Sequence, residues 1–140
     1  MKNNIKTALY SLRHSSLWTF YGDDENINSY DSIEWDSSNT TTAPTKDEIQ
    51  AEITRLDSIE KFTLLRRQRD ILLNESDWTR LDDNGLSSDK KAEWATYRQA
   101  LRDLPSTADP KLNEVYELDQ STVTWPTKPS KIAKKYKHGI

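Results

Sequence analysis

The hydrophobic positions change period along the chain, and each change marks an element. Ile5, Ala8, Leu9 and Leu12 recur at helical spacing, which predicts a short amphipathic helix over residues 4–14, ended by Ser15-Ser16. Leu17-Trp18-Thr19-Phe20-Tyr21 is aromatic and suited to a strand. Gly22-Asp23-Asp24 breaks it, and Ser32-Ile33-Glu34-Trp35-Asp36 alternates apolar and polar as a half-buried strand does. The two strands are expected to pair antiparallel across a long loop, with Ile33 and Trp35 turned toward the first helix.

A polar Ser/Thr linker, residues 37–43, leads to Pro44-Thr45, where Thr45 and Glu48 have the spacing of a capping box. Ile49, Ile53 and Leu56 share one helical face. Further on, Phe62, Leu65, Leu72 and Leu73 fall on the opposite side, while Leu64 and Ile71 stay near the first. This predicts one long helix, residues 46–74, whose second half is covered on two sides: by a C-terminal helix on one, and by a partner protein or a second copy on the other. Asp82-Asp83-Asn84-Gly85 breaks the chain. Ser87 or Ser88 then caps a helix with Trp94, Tyr97, Leu101 and Leu104 in a 3-4-3 stripe, and Pro105 is expected to stop it. The stripe packed on Leu65, Leu72 and Leu73, with Trp78 closing the end, makes a helical hairpin. Leu112, Val115 and Leu118 suggest a weak helical turn, and residues 123–130, with two prolines, read as extended. The fold class is α+β, mainly helical: an N-terminal α/β module (1–43) holding a helix and a β-hairpin, a long helix with a helical hairpin (44–105), and an extended Pro/Lys-containing tail (106–140).

Composition narrows the picture. Leu, Ile, Val and Phe make up about a fifth of the 140 residues, near the level at which chains fail to fold alone. Five Trp and six Tyr and a net charge of only −3 offset this, because each large ring buries roughly 150–250 Å². A thin aromatic core propped by a partner is the expectation. With no cysteine, disulfides, thiolate nucleophiles and Cys-based zinc sites are excluded. No apolar run reaches the ~18 residues of a membrane span, and the N-terminal residues lack a signal-like apolar stretch, so synthesis and use in a cytosol, without export by a secretion signal or a membrane partner, are expected. Charge is segregated. Asp23, Asp24, Glu25, Asp31, Glu34 and Asp36 form an acidic zone; Lys128, Lys131, Lys134, Lys135 and Lys137 form a basic tail with no acid after Asp119. Such polarity suits contacts between copies or with a charged neighbour, although charge patterning by itself favours solvated charge and a flexible end.

Candidate chemistry is sparse. His14 and His138 lie in unlike contexts without a local acid–base partner. Ser76 sits between Glu75 and Asp77 without the glycine elbow of a hydrolase nucleophile, and reads as a cap. Asp82-Asp83-Asn84-Gly85 has its glycine at the fourth place rather than the sixth of a calcium loop, and reads as a turn. Arg66, Arg67 and Arg69 spread around a helix beside Asp70, which disfavours a nucleic-acid face. No catalytic residue, metal site or cofactor is assigned. The residues assigned to partner binding are Phe62, Leu65 and Leu72 on the doubly apolar helix, Trp125 in the Pro-flanked tail, and Lys131, Lys134 and Lys135.

The run Arg69-Asp70-Ile71-Leu72-Leu73, Ser76-Asp77-Trp78-Thr79, Trp94, Tyr97-Arg98-Gln99-Ala100-Leu101-Arg102-Asp103-Leu104-Pro105 and Trp125-Pro126 resembles the tail-assembly-chaperone-like domain of bacteriophage tail proteins. Less specifically, Gly22-Asp23-Asp24, Ile33-Glu34-Trp35 and Pro44-Thr45 with Glu48 resemble small phage tail proteins of the XkdW type. The resemblance implies a non-enzymatic structural component of a viral tail, an adaptor or accessory protein at the junction of fibre, baseplate or tail tube. Its partners would be other tail proteins and copies of itself, and its location the virion tail. A transient tail fibre assembly chaperone is the alternative. A particle-associated hydrolase is a third, disfavoured because no acid, base and nucleophile converge. The polar spacer 106–121 and the lysines after Pro129 are additions to the family pattern.

Overall fold

The computed structural model describes residues 2–130. Its elements run α1 (Ile5–Arg13), β1 (Trp18–Phe20), β2 (Ile33–Trp35), α2 (Lys46–Glu75) and α3 (Ser88–Thr107), with short 3-10 turns at Ile27–Ser32, Asp77–Arg80 and Gln120–Thr122. The fold is α+β and mainly helical. The chain forms two compact units, residues 1–60 and 61–140, and α2 contributes a segment to each.

In the first unit, Asn4 caps α1: its Oδ1 accepts from the Thr7 N–H (3.0 Å) and its own N–H donates to Thr7 Oγ1 (2.7 Å). The periodicity of α1 then buries Ile5, Ala8 and Leu9 against Ile49. β1 and β2 pair antiparallel in the register Trp18–Trp35, Thr19–Glu34 and Phe20–Ile33. Alternation therefore sends both tryptophans, Phe20 and Ile33 to one face, where they pack on the α1 core. The loop between the strands folds back: Ile5 N–H donates to Asp24 O (3.0 Å). Gly22 is required there, because a Cβ would lie 2.5 Å from Ser29 Cβ. Linker 36–44 is pinned by Trp35 Nε1 donating to Thr41 O (2.9 Å) and Tyr30 OH donating to Pro44 O (2.7 Å).

Thr45 Oγ1 accepts from the Glu48 N–H (3.1 Å) at the start of α2, while the Glu48 carboxylate lies 3.9 Å from the Arg13 guanidinium. On the next turn Glu52 is buried; it accepts from Ser11 Oγ (2.9 Å) and from Arg55 Nε (2.9 Å), which ties α2 to α1. The Arg55 hydrogen bond holds its carboxyl below the usual carboxylate range, against the opposing effect of burial.

In the second unit α2 and α3 form an antiparallel hairpin with two apolar clusters. Trp94, Tyr97 and Leu101 pack with Leu72, Leu73 and Trp78; Leu104 packs with Leu65, Phe62 and Leu64. Ser87 Oγ caps α3 by accepting from the Lys90 N–H (3.2 Å). The expected stop at Pro105 is corrected: α3 continues to Thr107. Burial of Leu104 keeps it helical, and only one backbone donor, the one proline lacks, is lost near the helix end. Ala108 N–H (2.9 Å) and Thr107 Oγ1 (3.4 Å) donate to Leu104 O, and Ser106 Oγ donates to Asp103 O (2.7 Å). The expected helical turn at Leu112, Val115 and Leu118 is also corrected. Leu112 and Leu118 instead pair as an antiparallel bridge. Asn113 Oδ1 accepts from the Val115 (3.0 Å) and Glu117 (2.9 Å) N–H groups, a local competitor that removes the donors a helix needs.

Candidate interaction surfaces

The Ser-Asp-Trp-Thr stretch builds the joint of the helical hairpin. Ser76 is buried, and its Oγ donates to Leu73 O (2.9 Å) while accepting from Arg98 Nη1 (2.6 Å). Arg98 Nη1 also donates to Leu73 O (2.7 Å), and Nη2 lies 2.9 Å from Asp77 Oδ1. A guanidinium from the middle of α3 thus satisfies the carbonyl end of α2, where cations are favoured. Thr79 Oγ1 donates to Ser76 O (2.7 Å). Asn84 Nδ2 donates to the Thr79 (2.9 Å) and Leu81 (2.7 Å) carbonyls, and Gly85 turns the chain at φ 74°. Trp78 meets Trp94 edge to face at 5.4 Å, and Trp94 meets Tyr97 at 5.7 Å. Burial, then the nearby Glu75 charge, pushes the Tyr97 phenol up. With its proton given to Leu73 O and one lone pair accepting from Arg98, the Ser76 hydroxyl caps the carbonyl end of α2. Among the described residues no group of three or more His, Cys, Asp or Glu could hold a metal ion, and no helix is long and apolar enough to cross a membrane.

The residues assigned to partner binding fall in different places. Leu65 is fully buried and has no surface of its own. Phe62 is half-buried beside it, with the Arg66 guanidinium 5.5 Å and Lys61 Nζ 5.9 Å from its ring centre. Leu72 is half-buried in the other cluster. Trp125 touches both clusters, so it anchors residues 123–130 onto the unit's own hairpin. Its Nε1 donates to Gln120 Oε1 (2.8 Å), and Gln120 exchanges two amide hydrogen bonds with Gln68 (2.7 and 3.1 Å). Lys131, Lys134 and Lys135 lie outside the described residues.

Two features of this unit were not anticipated. Arg98 stood in the motif without a role; its neighbour Tyr97 is buried, and a charge beside a buried stripe position is the available signal. The loop 113–119 forms, with α2, an open groove of about 660 Å³ lined by Leu64, Ile71, Tyr116 and Leu118 and edged by Arg67 and Glu117. Ile71 is 53% exposed and Val115, near the loop tip, 72%. Among the described residues, the second apolar face of α2 is therefore only partly covered. A second open groove lies between Thr96, Tyr97 and Ala100 of α3 and the prolines Pro126 and Pro129.

Residues 62–130 match the family model of the phage tail assembly chaperone protein. The match spans just under half of the chain and nearly all the described part of the second unit, including the joint, the stripe and Trp125. It supports a phage-tail-related protein, and the matched family is a non-enzymatic kind of protein. No curated protein and no solved structure matches the chain.

Proposed function

We propose that this chain is a non-enzymatic assembly chaperone of a bacteriophage tail, which binds another tail protein while the fibre or tail is built. The observation that carries the reading is the coincidence of the family match with a compact unit whose motif residues serve its own packing. The motif makes a platform, and the surface left on the platform is what binds. Ile71 and the groove it lines with Leu64, Tyr116 and Leu118 offer an apolar strip of the kind an amphipathic partner covers. Phe62, Leu72 and Trp125 border the same unit's clusters, and Lys131, Lys134 and Lys135 would add a basic arm.

A structural adaptor retained in the virion at the fibre, baseplate or tail-tube junction is the second reading. It is favoured by the first unit, which has its own core and lies outside the family match. Quantitative mass spectrometry separates the two. Absence from purified particles with presence in infected-cell lysate supports the chaperone. A fixed copy number in intact particles replaces it with the adaptor, and absence of any association with tail intermediates overturns both.

A further inference from the structure

We propose that the outer face of the β1–β2 hairpin docks the lysine-rich C-terminal segment of a second copy of this chain, so that copies associate head to tail. The inference stands independently of which tail role the protein has. Alternation turns Trp18 and Phe20 inward and leaves Leu17 and Tyr21 on the other face, 60% and 71% exposed. Across the ladder, Glu34 stands opposite Thr19 on that outer face, and Asp36 N–H donates to Leu17 O (3.1 Å), which places Asp36 opposite Leu17. The face is therefore a strip of large apolar side chains interleaved with carboxylates. Among the described residues Glu34 has no hydrogen-bond or ion-pair partner at its carboxylate. Ser38 holds Asp36 anionic through hydroxyl and backbone hydrogen bonds.

The complementary surface is written in the sequence. Residues 1–60 carry eleven Asp and Glu against five Lys and Arg, whereas residues 120–140 carry five Lys and no acid. Lysine suits this strip better than a compact cation. Its stem lies along Leu17 and Tyr21 while its ammonium reaches the carboxylates, and a tyrosine face also attracts it. Ile132 and Tyr136 interleave the lysines as Leu17 and Tyr21 interleave the acids. Reach is sufficient: a five-residue strand face is roughly 17 Å long, and the ten residues after Ser130 can span up to about 33 Å. A contact between two different surfaces of like subunits is heterologous and continues into rings or filaments.

The test is sedimentation velocity on the full chain from about 5 to about 500 μM, in about 50 and about 500 mM NaCl, because screening weakens such contacts steeply over that range. The expected result is a mass that grows with concentration in low salt and returns toward the monomer in high salt. Glu34→Lys is expected to reduce association steeply, as is Lys131→Glu with Lys134→Glu and Lys135→Glu. Mixing the two variants restores it. Circular dichroism is unchanged in the hairpin variant, since Glu34 is exposed and unpaired among the described residues. Carbodiimide cross-linking of an equal mixture of heavy- and light-isotope protein should join Glu34 to the lysine segment in mixed-isotope pairs. A monomer at every concentration, association indifferent to both variants, or cross-links confined to single-isotope pairs each overturns the proposal.

Discussion

At the scale of single residues, the Ser-Asp-Trp-Thr motif of the second unit works as a structural joint. Ser76 and Arg98 join the two helices through Leu73 O, and Asp77 completes the ion pair. Arg98→Met keeps the stem and removes the donors, leaving the end of α2 and the Ser76 hydroxyl short of a partner. A loss of about 2 kcal/mol in denaturant unfolding is expected, in the range for hydrogen bonds to charged groups. Trp94 has no exposed surface and meets two rings edge to face. Trp94→Ala is expected to cost roughly 3–5 kcal/mol, and an unchanged thermal midpoint would remove the stripe from the core. Trp94 Nε1 and Arg98 Nε find no hydrogen-bond acceptor among the described residues. For Arg98, the geometry that aims both Nη groups at the helix end accounts for it.

At the scale of elements, the chain was most readable where one period ran long enough to name a face. The α1 stripe with its Asn4 cap, the strand alternation and the Trp94–Leu104 stripe all lie where hydrophobic spacing puts them. The errors came where a local rule met a tertiary one. Pro105 lost to the burial of Leu104. The spacing of Leu112, Val115 and Leu118 imitates a helix, but Asn113 takes the backbone donors and Tyr116 turns left-handed at φ 64°, a conformation that no glycine there announced. The junction between α1 and α2 gives a pH dependence. The folded pKa of Glu52 is held below the ordinary carboxylate value, first by Arg55. Its contribution to stability is therefore full above the unfolded pKa and lost as pH falls through the folded one. Denaturant titrations from about pH 7 to about pH 3 should show wild type more stable than Glu52→Gln at the neutral end, with the gap closing below the ordinary glutamate range. A constant gap would mean that Glu52 acts through packing alone.

At the scale of the whole molecule, the sequence divides its labour by composition. Residues 1–60 are acidic and draw their core from α1, the hairpin and the first turns of α2; residues 61–130 hold the aromatic joint and the family match. The scarcity of aliphatic residues foretold a thin core, and each unit meets it with tryptophan: Trp18 and Trp35 in one, Trp78, Trp94 and Trp125 in the other. The exposed apolar surface was less legible. Periodicity finds two apolar faces on α2 but not which residues the chain covers for itself, because that depends on a loop without a repeating pattern. Leu65 thus sits fully inside, whereas Ile71 and Val115 remain outside. The edge-to-face indole pair at the hairpin joint has a practical consequence. Two strongly absorbing rings held at a fixed mutual angle couple their electronic transitions and produce a paired circular-dichroism band. Closure of this joint can therefore be followed optically, without a label, in the free protein and when a partner is added.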